Sequence, residues 1–166
     1  MSAATHFVGS PSAWSSRAPV IVLALLGCAI AGYLSLYQWH VIRTVWDPLF
    51  GSDSSQAVLG SAISRALPVP DATLGALAYV VEAVVCALGG SDRWRTQPRL
   101  MLVYGVVVVG MALTSLLLVL VQVALVRALC TLCLCSAAVS LINAALAREE
   151  LAAAIAARKS AARRNV

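Results

Sequence analysis

Four long apolar runs organise the chain: Ala18 to Trp39, Ala72 to Gly90 with Glu82 inside it, Leu100 to Val126, and Ala128 to Ala147. A hydrocarbon core of ~30 Å takes about 20 helical residues, so each run is long enough to cross a bilayer. The third, with 27 uncharged residues, is expected to tilt or to extend past the hydrocarbon. Membrane strands are excluded, because the runs are too long and lack strict alternation. The pattern predicts an all-α integral membrane protein, a four-transmembrane-helix bundle at 18–147. A cytoplasmic segment at 1–17 is expected before it and a basic helical tail at 148–166 after it.

Composition agrees. Hydrophobic residues make up 61 % and charged residues 11 %, against roughly 45–50 % and about 25 % in soluble domains. A disordered chain needs the opposite balance. The net charge of +5 forms no continuous basic stripe, so it reads as topology and not as a nucleic-acid surface. Arg93, Arg95 and Arg99 between runs two and three, and Arg148, Arg158, Lys159, Arg163 and Arg164 after run four, mark the cytoplasmic side. Arg17 before run one agrees. Both termini are then cytoplasmic. The links after runs one and three face outward, and Trp39, Trp46 and Trp94 sit at or beyond span ends, where aromatic belts form. Leu25-Leu26-Gly27-Cys28 looks like a lipoprotein cleavage site, but the apolar run continues well past Cys28, longer than a signal h-region of ~7–15 residues.

The long link, Val41 to Asp71, carries turn signals at Asp47-Pro48, Gly51 to Ser55, and Pro68-Val69-Pro70. Between them, Gln56 to Leu67 has apolar residues at helical spacing, which predicts a short amphipathic segment lying on the membrane surface.

The residues that suggest chemistry are Cys130 and Cys133, three apart at the outer start of span four, just after Arg127. Helical spacing puts both sulfurs on one face. A helix N-terminus and a nearby guanidinium favour the thiolate, the form that exchanges disulfides. Packing is the plain alternative reading of the pair. Metal binding is another, but it lacks two further ligands, so no metal site is expected. Cys28, Cys86 and Cys135 read as packing residues. Asp71, behind Pro70, is a natural helix cap. Glu82 lies about 15 Å into span two, where an ionisable group is costly and often functional. It either bonds a hydroxyl such as Thr114 or Ser115, or faces a cavity and helps deliver protons there. Gln122, Asn143, Ser136 and Ser140 are expected to make interhelix hydrogen bonds, and Gly105 and Gly110 to allow close helix approach.

The order of these segments resembles the bacterial vitamin K epoxide reductase family, which is functionally related to disulfide bond formation protein B. The resemblance covers roughly Val20 to Leu146. It rests on the four spans, on the run from Asp47 through Ser61, on Leu67 through Tyr79, and on Cys130-Thr-Leu-Cys133. It implies a helix bundle around a quinone (ubiquinone or menaquinone), in a bacterial inner membrane. Cys130 and Cys133 would be the catalytic pair, and a thioredoxin-like extracytoplasmic thiol protein the electron donor. On that view Cys130, nearer the surface, is attacked by the partner, and the deeper Cys133 passes electrons to the quinone. Asp71 falls where some members place a quinone-contacting residue, and Glu82 is the other candidate near the cofactor. Two features depart from the family pattern. Phe50 to Ser61 holds no cysteine, so the internal thiol relay is missing, and Ala137 stands where the family has a tyrosine. The rival expectations are a non-catalytic membrane subunit that kept the bundle, and a small transporter with Glu82 on its path.

Overall fold

Burial along the first helix repeats every three or four residues: Arg17, Val20, Ala24, Gly27, Ala31 and Leu34 face inward. Val22, Leu25 and Leu26 on its other side are exposed. Apolar residues on both faces mean that one packs against protein and the other against lipid. The computed structural model describes residues 10, 12–65 and 68–164. It contains α1 (Trp14–Gln38), α2 (Ser52–Leu59), α3 (Asp71–Ala87), α4 (Arg93–Thr96), α5 (Pro98–Val121) and α6 (Thr131–Arg164). Helices α1, α5 and α6 are long and apolar enough to cross a membrane. The fourth member of the bundle, α3, has 17 residues and spans about 26 Å. It packs most extensively against α1.

The element boundaries differ from the sequence expectation for local reasons. Helix α1 starts at Trp14, four residues before the expected span, and takes in Arg17, whose guanidinium is buried against protein. Helix α3 stops at Ala87, just before Gly89 at φ +80°. Helix α5 runs into a π-helical turn at Gln122–Val126, which ends at Arg127 in the left-handed region (φ 55°). The expected fourth span loses its first residues: 127–130 form a link and the helix begins at Thr131. The short helix of the long link forms at Ser52–Leu59, a few residues earlier than expected. It follows Gly51 (φ +80°), carries Asp53 in its first turn and stops before Gly60. Ala66 and Leu67 of the expected segment, and His6 of the N-terminal one, lie outside the described residues. The buried side of α2, Val58 and Leu59, packs with Leu34, Val45 and Cys130. It therefore caps one end of the bundle.

The opposite end is tied by charge. The Arg93 guanidinium, fully buried, donates to Glu150 Oε1 and Oε2 at 2.6 and 2.7 Å. Its Nη1 donates to the carbonyls of Val85, Cys86 and Leu88. Arg17 Nη1 reaches Cys86 O, Leu88 O and Gly89 O at 3.1–3.2 Å. These are the orphan carbonyls at the C-terminus of α3, where cations are favoured.

Candidate functional site

Cys130 sits immediately before α6 as its N-cap. Its carbonyl accepts the first helical hydrogen bond, from Leu134 N at 3.0 Å. Its sulfur accepts from the Cys133 backbone N–H at 3.2 Å. That is the geometry in which Ser or Asp caps a helix, here made by sulfur. The Cys130 thiol is brought down to about 7. The largest cause is the hydrogen bond from the Cys133 thiol. Burial works against it, the Ser55 hydroxyl and the Cys133 N–H assist, and the charge of Asp47 opposes. Arg127, expected beside the pair, is exposed and makes no hydrogen bond to either cysteine among the described residues. Gln122 takes the nearby role, its Oε1 accepting from Cys130 N at 3.2 Å.

The exposure of the pair is the reverse of the sequence expectation. Cys130 is 0 % exposed, beneath Val45, Val58 and Leu59, whereas Cys133 is half-buried. The cap closes over the residue that was expected to be nearer the surface. Cys86 is buried in the core and Cys28 packs at its margin. Cys135 is exposed on the other side of α6, so it is not a core residue.

Asp47 holds the cap in place. Its carboxylate accepts from Thr131 N at 2.8 Å and Thr131 Oγ1 at 2.5 Å. It also accepts from Ser55 Oγ at 2.5 Å, and from the backbone N–H of Leu49 and Phe50. One side chain thus joins the long link, α2 and the N-terminus of α6. Burial on its own would raise its pKa. The bonds from Ser55 and Thr131, and those from the backbone of Phe50 and Thr131, outweigh that and hold it well below the usual carboxylate range. Ser54 adds a second clasp, its Oγ donating to Leu129 O at 2.7 Å. The sequence signal for Asp47 was the Asp-Pro turn. Its partner, 84 positions away, was not visible there.

Cys133 opens onto a half-open cavity of about 720 Å³ bordered by α1, α3, α5 and α6, with Val58 and Leu59 of the cap at one end. Its polar wall near Cys133 includes Asp71, Ser64 and Gln122. The flank toward α5 is mostly apolar, with Val107, Met111 and Leu118 beside the hydroxyls of Thr114 and Ser115. Asp71 is the first residue of α3, after Pro70 as N-cap. Its Oδ1 accepts from Gln38 Nε2 at 2.5 Å and Ser64 Oγ at 2.7 Å. Thr114, Ser115 and Gly110 line the cavity. Gly110 therefore does not serve close helix approach, while at Gly105 a Cβ would press on Leu151 at 3.2 Å. Glu82 is not part of the cavity wall, and its partner is Asn143, not Thr114 or Ser115. Tyr79 fills the floor. Its hydroxyl donates to Ser136 O at 2.6 Å and lies 2.7 Å from Ser140 Oγ.

Gly27 makes room for that ring, since a Cβ there would overlap Tyr79. Gly27→Ala is expected to push Tyr79 off Ser136 and Ser140 and to cost about 1–3 kcal/mol, the range for overpacking. Unfolding in detergent, with Tyr79→Phe in parallel, checks this; an unchanged Gly27→Ala protein would contradict the packing.

Residues 18–147 match the profile of the vitamin K epoxide reductase family. The chain belongs to that family. Vitamin K epoxide reductase family proteins are four-helix membrane bundles, generally oxidoreductases that use a quinone. No curated protein matches the sequence.

Proposed function

We propose that this vitamin K epoxide reductase family protein is a membrane thiol:quinone oxidoreductase whose redox centre is Cys130 and Cys133. The observation that carries this reading is the opening of Cys133 onto a cavity that is also lined by the polar side chains of Asp71, Ser64 and Gln122. A volume of about 720 Å³ falls in the range of small-molecule sites. Polar side chains beside a mostly apolar flank suit a quinone ring and its isoprenoid tail. Asp71, Ser64 and Gln122 would hold the ring, and α3 and α5 would hold the tail. When bound there, a quinone supplies a two-electron, two-proton acceptor. On the protein's side, Cys130 Sγ and Cys133 Sγ close into a disulfide, and the electron pair leaves by Cys133. The N-cap geometry supports Cys130 as the thiolate of the pair.

The Cys130 end is placed outside a bacterial inner membrane and the termini inside. Arg95, Arg99, Arg148 and Arg158 at the opposite end favour this. The reductant is a thioredoxin-like extracytoplasmic thiol protein that attacks Cys130 once the cap lifts. The link from 41 to 70 has no cysteine, so the attack is direct. Exchange needs only a disulfide within reach of a thiolate.

The test is a single turnover. Reduced protein, freed of reductant, is mixed with a soluble short-chain quinone and quinol absorbance is followed. One quinol per protein is expected, with none formed by Cys133→Ser. Equal absorbance change in both proteins would remove the centre and leave a membrane subunit without catalysis.

A further inference from the structure

Beyond Cys133 the inward face of α6 continues as Ser136, Ser140 and Asn143, at steps of three, four and three that keep one helix face. Tyr79 and Glu82 form the matching face of α3. The hydroxyl of Tyr79 meets Ser136 and Ser140 at the cavity floor. One turn further, Asn143 Nδ2 donates to Glu82 Oε1 at 3.0 Å and to Val20 O at 3.4 Å. Glu82 and Asn143 are each 1 % exposed. Glu82 Oε2 and Asn143 Oδ1 are left without partners.

Both unpartnered atoms are acceptors if Glu82 is ionised. The carboxylate would then lie buried with one neutral donor, at a cost of several kcal/mol. Among the described residues no cation pairs with it. Arg17 and Arg93 lie toward the end of α3, where Nη1 of each bonds carbonyls; Arg17 Nε and Nη2 have no partner, and Arg93 is neutralised by Glu150. The other titratable groups facing Glu82 are Tyr79, one turn away, and Tyr104 of α5. A proton on Oε2 resolves the conflict. That oxygen becomes a donor, Asn143 Oδ1 becomes its acceptor, and acid and amide close in a two-bond ring.

We propose that Glu82 is a neutral carboxylic acid closed onto Asn143 and that it stores the second proton of the dithiol centre, reached through Tyr79. Its use, though not its protonation, rests on the quinone reading of the cavity. The reduced centre holds a Cys130 thiolate and a Cys133 thiol. Closing the disulfide forms the S–S bond, breaks the Cys133 S–H bond and releases two electrons and one proton. A quinone takes up two of each. The second proton leaves Glu82 Oε2 and is relayed to Tyr79, whose hydroxyl gives up its own proton at the cavity. Glu82 and Tyr79 lie about one helical turn, ~5 Å, apart along α3, so the proposed relay requires a bridging water between them. When a donor dithiol reduces the disulfide it supplies two electrons and two protons. One proton goes to Cys133 and the other returns to Glu82.

Infrared spectroscopy of the full chain in detergent tests the acid directly. A protonated carboxylic C=O band is expected in the wild type and in Tyr79→Phe, and is expected to vanish in Glu82→Gln, which keeps the bond from Asn143. Stopped-flow oxidation of the reduced centre by a soluble quinone tests the store. Glu82→Gln is expected to be slower by roughly a hundredfold, the usual weight of a positioned proton donor, and small weak acids in the buffer are expected to restore the rate. Tyr79→Phe should slow it while the band remains. A wild type without the band overturns the proposal, as does an unslowed Glu82→Gln. A wild type that shows the band but is not oxidised by quinone overturns the relay and the quinone reading while Glu82 stands as an acid.

Discussion

Asp47→Ala is expected to unlatch the cap and expose Cys130. The substitution removes the acceptor of five hydrogen bonds, two from Thr131, one from Ser55 of α2 and two from the link's own Leu49 and Phe50 N–H. Charge-assisted bonds count for roughly 1.5–3 kcal/mol each where buried. Asp47 is only half-buried, so we assign the latch about 3 kcal/mol in all. At 1.4 kcal/mol per tenfold, the population with an open cap rises by roughly a hundredfold. Maleimide should then label Cys130 about that much faster, while Cys28 labels at its wild-type rate. Equal labelling of Cys130 in the two proteins would show that the cap does not depend on Asp47. Acid should mimic the substitution. A carboxylate held below its ordinary value stabilises the docked cap fully above that value. The stabilisation is lost as pH falls below it toward the depressed one. Cap opening is therefore expected in acid and not in mild base.

Arg93→Ala should produce the largest loss of stability. It leaves Glu150 buried with Ser12 as its remaining partner, strips Val85 O of its side-chain donor, and leaves Cys86 O and Leu88 O to Arg17 alone. Removing one member of a buried ion pair costs about 3–5 kcal/mol. Arg93→Lys is not expected to rescue it, because an ammonium lacks the fork that holds both Glu150 oxygens and the carbonyls together. Replacing Arg93 and Glu150 together by Met should recover much of the loss, since no unpaired charge remains. Unfolding in detergent across this cycle reads the coupling. A double variant no more stable than Arg93→Ala would place the cost in the α3 carbonyls alone.

These two residues show where sequence reading reached and where it stopped. The bundle was legible because lipid demands long apolar runs, and Cys130 and Cys133 were legible because three positions along a helix share a face. The hydroxyls and amides of α6 were expected to bond between helices, and Ser136, Ser140 and Asn143 do so. Asp47 and Thr131 are far apart in the chain, as are Arg93 and Glu150, and such pairs leave no local periodicity. Arg93 was counted as a topology charge, yet it is buried. The burial order of the two cysteines was also hidden, because it depends on how α2 folds back over Cys130.

The central claim, a quinone-coupled disulfide at Cys130 and Cys133, is tested most directly by counting thiols. The purified protein is reduced, cleared of reductant, incubated with or without a soluble quinone, unfolded, and labelled with a mass-tagged maleimide. Quinone is expected to remove two labelled thiols from the wild type and none from Cys130→Ser or Cys133→Ser. A wild type that keeps all five cysteines labelled in the presence of quinone would contradict the account.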